Sequence, residues 1–350
     1  MKKILLHDQQ FAIGGPKAAL DGIVNSYLGE KYNFVRIYQT EACGFNPIKA
    51  IMFVNKYRKM INKENADVIY ICGLLYVGFL ITLSARLSNV KRIVLSVHGS
   101  EWDSPNKSFR KWVLKHFIEP WEIRMADSVF TVCEAAQNTI LPLKNKKNNI
   151  GVIYNTFPNY NTSALEVGKF RKDLSIGKDK IIVSTVGRVV EDKGHQYIID
   201  AMKKMTNDDF VFVIVGDGPY LDVYKNICQQ EIKDGRLFLL GRRMDVNQIL
   251  KDTDIFLFPT LHENHSIALL EAVNMNCAVI CTKVGGNPEI IEDGVSGLLI
   301  PPHNSEAIVQ SLELLKNKAL RQRYSQMAFD LCKDKFSMQN TYGKLERLFG

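Results

Sequence analysis

Short apolar runs alternate with longer amphipathic segments through the first 156 residues of this 350-residue chain. Runs rich in β-branched and aromatic residues predict strands, and the stretches between them have the length and apolar spacing of helices. Strands separated by helices form parallel sheets with helices on both faces. The predicted strands are 2–7, 33–38, 67–72, 92–97, 128–132 and 150–154, and the predicted helices are 15–29, 47–64, 75–88 and 107–125.

A polar, turn-rich stretch, residues 157–178, interrupts this alternation and is predicted to link two domains. The alternation then resumes, and from about Asn304 the pattern is helical to the end. The fold class is therefore predicted to be α/β, with two doubly wound domains. The strands of the second domain are expected near 180–186, 210–215, 236–240, 254–258, 278–282 and 297–300.

Residues 68–85 carry no charge over 18 positions, which reaches the length of a membrane-spanning helix. The first five form a β-favouring run, Gly73 interrupts the pattern, and Arg86 follows at once. We therefore predict a buried strand followed by a helix in preference to a membrane span. The apolar part of the first eight residues is too short for a signal peptide and reads as the first strand.

Cysteine usage and charge narrow the class of protein further. The seven cysteines are odd in number and include no Cys-x-x-Cys pair, which indicates a reducing compartment. Cys277 and Cys281 fall within one predicted strand, so we expect buried thiols there in preference to a zinc site. Residues 1–160 have 21 Lys and Arg against 12 Asp and Glu, whereas the remaining residues have 24 against 25. A basic half suits nucleic acid, an acidic substrate or an anionic membrane surface, and charge alone does not choose among them. No nucleic-acid-binding motif accompanies it, so we expect no nucleic-acid partner.

Residues 259–297 concentrate the candidate chemistry at the ends of two predicted strands. Glu263 follows the strand that Pro259 ends, and Glu271 lies among apolar neighbours in the next predicted helix. A partly desolvated carboxylate needs hydrogen-bond donors, and a sugar diol supplies two. Gly285-Gly286 follows the next strand, where the missing Cβ lets backbone approach a ligand closely. The alternative is an ordinary strand–turn–helix repeat with solvated glutamates.

Other strand ends in the two domains also carry candidate residues. Arg188 and Lys193 follow one strand and suit a diphosphate, although a solvated pair of cations is the alternative. His98 ends another strand, and a lone histidine there is more often structural than catalytic. Gly14-Gly15 leaves room for a phosphate after the first strand, but lacks the glycine spacing of a dinucleotide-binding loop.

Taken together, these residues resemble a known family. Glu263 and Glu271, followed by Gly285-Gly286-Asn287-Pro288-Glu289 and Asp293-Gly294-Val295-Ser296-Gly297, resemble the donor-site signature of retaining glycosyltransferases of family 4. The resemblance implies the GT-B fold, with two Rossmann-like domains facing across a cleft. The acceptor domain would comprise residues 1–160 and a last helix of about 337–350, and the nucleotide-sugar domain residues 175–336.

The resemblance also implies roles for individual residues. Arg188 and Lys193 hold the donor diphosphate, Glu271 the ribose hydroxyls, and Glu263 the transferred sugar, with His98 near the reacting centre. The catalytic set is therefore His98, Arg188, Lys193 and Glu263. The donor-binding set is Gly14, Gly15, Arg188, Lys193, Arg243, Met244, Glu263, Asn264, His265, Ser266, Ile267 and Glu271, and Glu101 and Asp103 are expected to meet the acceptor.

The chain departs from the family where a glycine-containing segment usually follows the first glutamate, because it has Asn264-His265-Ser266 there. Side chains at these positions could reshape the sugar pocket, so the donor sugar and base are not carried over. Asp252-Thr253-Asp254 has the Asp-x-Asp pattern of metal-dependent glycosyltransferases but precedes its strand, so we expect neither a metal nor another cofactor. Two alternatives stay open: a nucleotide-sugar epimerase of the same fold, and a non-catalytic nucleotide-sugar binding protein.

The expected function is retaining hexosyl transfer from a nucleotide sugar to a glycan or lipid-linked acceptor in cell-surface polysaccharide biosynthesis. Residues 106–124 could bring the protein to that acceptor, because cations recur there beside Phe109, Trp112, Phe117 and Trp121. Such a helix would lie on an anionic membrane surface. The alternative is that the aromatic side chains pack under the sheet while the cations are solvated. We expect a cytoplasmic protein that binds peripherally to the inner face of the membrane.

Overall fold

The computed structural model describes residues 1–9, 15–41, 43–100, 102, 108–144, 146–157, 162–206 and 208–350, with only the backbone of Ser163. Their contacts divide the chain into two compact units, residues 1–156 with 338–350 and residues 157–337. Each unit is built on a parallel sheet flanked by helices, so the predicted α/β fold class is confirmed.

The first unit contains a sheet with strand order β2-β1-β3-β4-β5-β6 among its described residues. Its strands are β1 (Lys3–Gln9), β2 (Asn33–Gln39), β3 (Val68–Gly73), β4 (Arg92–Val97), β5 (Ser128–Thr131) and β6 (Asn149–Val152). Its helices up to residue 156 are α1 (Gly15–Val24), α2 (Leu28–Lys31), α3 (Pro47–Glu64), α4 (Leu75–Arg86), α5 (Phe109–Val113), α6 (Glu119–Met125) and α7 (Glu134–Thr139).

Strand β3 and helix α4 are the buried strand and helix predicted for the uncharged residues 68–85. Every residue of β3 is buried, as is usual for a strand inside a parallel sheet covered on both faces. None of the helices in the described part of the chain is long and apolar enough to cross a membrane.

The second unit contains a sheet with strand order β12-β11-β10-β7-β8-β9 among its described residues. Its strands are β7 (Ile181–Val186), β8 (Phe210–Val215), β9 (Leu237–Leu239), β10 (Ile255–Phe258), β11 (Ala278–Thr282) and β12 (Leu298–Ile300). Its helices are α8 (Lys169–Asp173), α9 (His195–Lys204), α10 (Leu221–Ile227), α11 (Gln229–Lys233), α12 (Val246–Lys251), α13 (Ile267–Asn274), α14 (Asn287–Ile290), α15 (Ser305–Leu314) and α16 (Lys318–Lys335). The last helix, α17 (Met338–Phe349), packs with the first unit, where Tyr342, Leu345 and Phe349 are buried.

Two predicted elements differ from the structure for identifiable reasons. The stretch predicted as a linker contains α8, whose backbone N–H groups at Gly168, Phe170 and Arg171 donate to the Asp252 carboxylate at 2.6, 2.8 and 3.2 Å. The stretch predicted as one helix over 107–125 contains α5, a π-helical turn at Leu114–Ile118, and α6. The contacts between the Asp252 carboxylate and the backbone do not depend on apolar periodicity, and the π turn shifts the apolar pattern by one residue without ending the helical segment.

Candidate functional site

The second sheet reverses its strand order beside β7. The chain passes from β7 to β8 and β9 on one side, and then returns to place β10, β11 and β12 on the other. Ligands of open α/β sheets bind beyond the carboxyl ends of the strands at such a switch point. The loops that follow β7 and β10 lie at this position, and they carry six of the predicted site residues: Arg188, Lys193, Glu263, Asn264, His265 and Ser266.

Lys193 and Glu263 come together at the switch point. The Lys193 ammonium donates to a Glu263 carboxylate oxygen at 2.6 Å, and each side chain is 19% exposed. Each side chain keeps part of its surface exposed, so solvent or a ligand can reach the pair. The sequence predicted both residues but did not predict this contact.

Backbone contacts hold the loop of Lys193 against the loop of Glu263. The carbonyl of Asp192 accepts from the Leu261 N–H at 2.7 Å and from the Thr260 hydroxyl at 3.0 Å. Gly194 has a φ of +68°, and a Cβ there would lie 2.0 Å from the carbonyl oxygen of Pro259. A glycine is therefore required at Gly194 both by conformation and by space.

Arg188 lies on the same edge of the sheet, immediately after β7, and its side chain is exposed. Its loop is supported by the turn after β8, where a Cβ on Gly218 would lie 2.3 Å from the carbonyl oxygen of Val189. The turn at Gly216-Asp217-Gly218 thus has a packing role beneath Arg188. Because the Arg188 guanidinium is exposed, it can donate two parallel hydrogen bonds to a diphosphate.

The residues that depart from the family pattern, Asn264, His265 and Ser266, make contacts within the protein. Ser266 caps α13, because its hydroxyl accepts from the Leu269 N–H at 3.2 Å. The His265 ring contacts Phe336 with 4.9 Å between ring centroids, and Asn264 donates its backbone N–H to Glu263 at 3.2 Å. All three side chains are buried. Ile267 begins α13, and Glu271 stands half-buried in its second turn.

The first glycine of the pair after β11 packs against protein backbone. Gly285 has a φ of +48°, and a Cβ there would lie 1.6 Å from the carbonyl oxygen of Glu263. The sequence suggested that this pair leaves room for a ligand, whereas the structure uses the first glycine to hold Glu263 in place. Asn287 reinforces the turn by donating its amide to the carbonyl of Thr282 at 3.0 Å.

The remaining candidates of the second unit have separate environments. Arg243 makes two hydrogen bonds to Asp245, at 2.7 and 2.6 Å, and Met244 is 87% exposed. In the Asp-x-Asp pattern, Asp252 binds the N–H groups of α8, and Asp254 pairs with Arg171 at 3.0 Å. Both aspartates are therefore occupied in structural hydrogen bonds.

The cysteine side chains of β11 and of the residue before it are fully buried, as the sequence predicted. Burial raises the pKa of the Cys277 and Cys281 thiols.

In the first unit, His98 follows β4 and is partly accessible. Its Nε2 lies 3.0 Å from the Ser96 hydroxyl, and desolvation by burial lowers its pKa from 6.5 to about 4. The imidazole is therefore neutral at pH 7. Gly15 is the first residue of α1, whereas Gly14, Glu101 and Asp103 lie outside the described residues.

Comparison with known families accounts for most of the chain. The family described as Glycosyltransferase Family 4 matches residues 25–157, and the family described as Glycosyl transferases group 1 matches residues 166–330. The chain belongs to the group 1, family 4 glycosyltransferases.

Individual relatives agree with this assignment. A UDP-Gal:alpha-D-GlcNAc-diphosphoundecaprenol alpha-1,3-galactosyltransferase of Escherichia coli is 27% identical over 73% of this chain and 67% of its own length. An N-acetyl-alpha-D-glucosaminyl L-malate synthase of Bacillus anthracis is 23% identical over 85% and 78%. A solved structure of Anabaena Alr3699/HepE in complex with UDP-glucose shares 19% identity, covers 99% of both chains and has a TM-score of 0.77. The GT-B fold expected from the resemblance is confirmed.

The glycosyltransferase exposes aromatic side chains along α5, the π turn and α6. Phe109, Trp112, Phe117 and Trp121 are 80%, 49%, 54% and 60% exposed. The alternative that they pack under the sheet is therefore wrong. Arg110 stacks over Phe45 at 4.4 Å, and Phe45 stacks on Tyr76 at 4.2 Å, so this surface continues to the starts of α3 and α4.

Sequence reasoning missed the part of this surface that lies on α3. Ile48, Ile51 and Met52 are 69%, 63% and 66% exposed, while Phe53 and Tyr57 of the same helix are buried. The signal was present, because α3 carries two apolar stripes and a helix with one buried face needs only one. We call Phe45, Ile48, Ile51, Met52, Phe109, Trp112, Phe117 and Trp121 the apolar rim.

Proposed function

We propose that this glycosyltransferase moves a hexose from a nucleoside-diphosphate sugar to a glycan or lipid-linked acceptor, with retention at the anomeric carbon and without a metal ion. The second unit binds the donor, and the first unit binds the acceptor. The observation that carries this proposal is the Lys193–Glu263 ion pair at the switch point of the second sheet, with Arg188 exposed beside it.

The reaction breaks the bond between the anomeric carbon and a diphosphate oxygen, and that oxygen takes the electron pair. A bond from the acceptor hydroxyl oxygen to the same carbon forms, and the departing diphosphate oxygen takes up the proton that the acceptor hydroxyl loses. The leaving diphosphate gains negative charge while the sugar becomes oxocarbenium-like. Fixed cations aimed at the diphosphate stabilise this state, and Lys193 and Arg188 supply them.

Glu263 holds Lys193 in place before the donor binds and then orients the transferred sugar. Its rigid position supports this role, because Gly285 packs directly on its carbonyl. Glu271 accepts hydrogen bonds from the ribose hydroxyls, and the backbone near Arg243 and Met244 meets the base. His98, which is neutral at pH 7, contacts the transferred sugar as a hydrogen-bonding partner.

The named relatives support a uridine-diphosphate sugar as the donor. One is a UDP-galactose-dependent transferase, and a solved structure of the same fold contains UDP-glucose. Their acceptors differ, since one acts on a diphosphoundecaprenol-linked sugar and the other is a synthase of N-acetyl-alpha-D-glucosaminyl L-malate. The apolar rim favours the lipid-linked class and a role in building a cell-surface polysaccharide.

The apolar rim is proposed to dock the first unit on an anionic bilayer. Its side chains are of the kinds that enter the interface between headgroups and acyl chains, and Arg110, Lys111 and Lys115 lie among them on α5 and the π turn. Each cation near an anionic surface contributes about 1 kcal/mol. A lipid-linked acceptor in the same bilayer would then lie within reach of the first unit.

The test incubates the purified protein with UDP-, GDP- and ADP-sugars, with and without an undecaprenyl- or shorter polyprenyl-diphosphate sugar acceptor. We expect nucleoside diphosphate release that depends on the acceptor, with an α-linked product from an α-linked donor. An epimerase would instead release a changed free sugar or nucleotide sugar without acceptor. Binding of nucleotide sugar without any turnover across the panel would show a non-catalytic protein.

A further inference from the structure

Helix α6 carries two buried carboxyl groups that the proposed reaction does not use. Glu119 and Glu122 are both fully buried, although glutamate side chains are almost never fully buried unless they are paired. They are three residues apart, which places both on one face of the helix. Burying two carboxyls costs free energy, so a specific contact is needed to explain them.

The Glu122 carboxyl fills the space beside Gly73 at the end of β3 and Gly78 in α4. Its Oε1 accepts from the Thr82 hydroxyl at 3.2 Å, and a Cβ on Gly73 or Gly78 would lie 2.3 or 2.8 Å from the same oxygen. Its Oε2 has no hydrogen-bond partner among the described residues. Two glycines therefore make the space that this carboxyl occupies.

Glu119 reaches the segment that follows β4. Its Oε2 accepts from the Ser100 hydroxyl at 2.7 Å, and the Ser100 oxygen in turn accepts from the Trp102 N–H at 3.0 Å. Ser100 is buried and lies two residues after His98, whose ring meets Ser96. Glu119 thus holds the far side of the short turn that carries His98.

The π turn at Leu114–Ile118 sets the direction of both carboxyls. A π turn inserts one residue into the helix, which rotates everything after it by about 100° relative to a continuous α-helix. Without it, Glu119 and Glu122 would leave the face that meets α4 and the end of β4. Such turns occur frequently at functional sites.

We propose that Glu119 and Glu122 form a buried carboxyl pair that positions Ser100, and with it His98, for the transfer reaction. Both are positioning residues, since they act through Ser100 and the end of β3 and do not touch substrate. The proposal rests on the proposed function, in which His98 contacts the transferred sugar. Burial and the nearby charge of Glu119 raise the pKa of Glu122 well above its usual range, which favours the protonated form of the carboxyl behind the Glu119–Ser100 contact.

The kinetic test compares Ser100→Ala with Ser84→Ala. Both changes remove one hydroxyl from a buried serine of the first unit, but among the described residues the Ser84 hydroxyl donates to the carbonyl of Leu80 in its own helix. We expect Ser100→Ala to lower kcat roughly tenfold with the donor KM within about twofold, because a misplaced catalytic group mainly costs turnover. Ser84→Ala should keep kcat within about twofold, with a urea midpoint similar to that of Ser100→Ala. Equal kcat losses in the two variants would overturn the proposal.

Conservative replacement separates positioning from folding. Glu119→Gln keeps an oxygen that accepts from Ser100 and should retain most of kcat, whereas Glu119→Ala should behave like Ser100→Ala. The double variant Ser100→Ala/Glu119→Ala should be no slower than the slower of the two single variants, because both substitutions remove the same Ser100–Glu119 hydrogen bond. Additive losses would contradict a shared path through Ser100.

NMR of the histidine side chains tests the positioning of His98 independently of enzymatic activity. The ring signals of His98, assigned through His98→Gln, should move in Ser100→Ala and Glu119→Ala and stay in place in Ser84→Ala. Unmoved His98 signals would overturn the positioning even in an active enzyme. Moved signals in a protein that transfers no sugar would support the positioning and overturn the proposed function.

Discussion

The Lys193 ammonium has a carboxylate partner in the structure and a diphosphate partner in the proposed reaction. It is bound to Glu263 at 2.6 Å here, and the donor diphosphate would share it during transfer. We expect Arg188→Ala and Lys193→Ala each to lower turnover about a hundredfold, or about 3 kcal/mol of lost transition-state stabilisation. Steady-state kinetics with saturating donor measures this. Lys225→Ala, a surface lysine of the same unit, is the control, and a loss below tenfold in both site variants would contradict the assignment.

Glu263 and Glu271 should separate into different kinetic classes. Glu271→Ala removes the partner proposed for the ribose, which is bound equally in ground and transition states, so it should mainly weaken nucleotide binding. Glu263→Ala removes a contact to the reacting sugar and leaves Lys193 without its partner, so it should mainly lower turnover. Calorimetric titration with UDP, alongside kcat, distinguishes the two. Equal losses of UDP affinity in both variants would argue against these roles.

The raised pKa of Glu122 predicts a stability that falls with pH. The folded state keeps the proton on Glu122 at pH values where the unfolded chain has released it, so the folded protein binds more protons above pH 4.5, its ordinary pKa. Stability from this group is complete at low pH and decreases as pH rises toward the folded pKa. Glu122→Gln does not titrate, so its free energy of unfolding relative to the wild type should increase between pH 5 and pH 8. Urea unfolding at four pH values measures it, and a parallel pH dependence in both proteins would refute it.

At the scale of elements, the strands and the longer helices followed from the sequence pattern. Strand β4, strand β8 and helix α3 have the bounds that periodicity indicated. The pattern did not reveal α8, because its main support is the Asp252 carboxylate about 80 residues away in sequence. It also did not reveal the π turn, which changes the direction of side chains without changing which segment is helical. Local residue preferences predict where helices and strands lie. Polar contacts between distant residues, and the helical register after a π turn, can be read only from the structure.

The apolar rim is an element-scale feature whose exposure the sequence left undecided. We predict that the protein co-sediments with vesicles containing anionic lipid at low salt, and that binding weakens at high salt because charge attraction is screened. Charge reversal of Arg110, Lys111 and Lys115 to Glu should abolish it, and Ile48→Ser with Ile51→Ser should reduce it at either salt concentration. The matched control reverses Lys178, Lys233 and Lys318 in the second unit. Binding that ignores lipid charge, or that survives the first triple reversal, would favour a soluble acceptor.

At the scale of the whole chain, the site of the second unit is assembled from segments far apart in sequence. Lys193 and Glu263 are 70 residues apart, and Gly285 is needed behind Glu263. The family resemblance predicted which of these residues matter, but their mutual contact follows from the switch point of the sheet. Ser266 is a residue type preferred at helix N-termini, so its cap on α13 could be read from the sequence, whereas the contact of His265 with Phe336 required coordinates.

The use of fixed cations leads to a prediction about the complete reaction. If Arg188 and Lys193 neutralise the leaving diphosphate, turnover needs no divalent ion, and the two aspartates of the Asp-x-Asp pattern are already engaged with α8 and Arg171. We expect kcat in EDTA to stay within about twofold of its value in magnesium, because charge stabilisation is supplied by the protein. The measurement follows nucleoside diphosphate release with acceptor present, and NMR of the product tests retention in the same samples. Asp254→Asn is the companion variant, which should lower stability through Arg171 but leave the response to EDTA unchanged. Turnover that is abolished by EDTA and restored by magnesium or manganese would show that a metal ion carries the charge that we assign to Arg188 and Lys193.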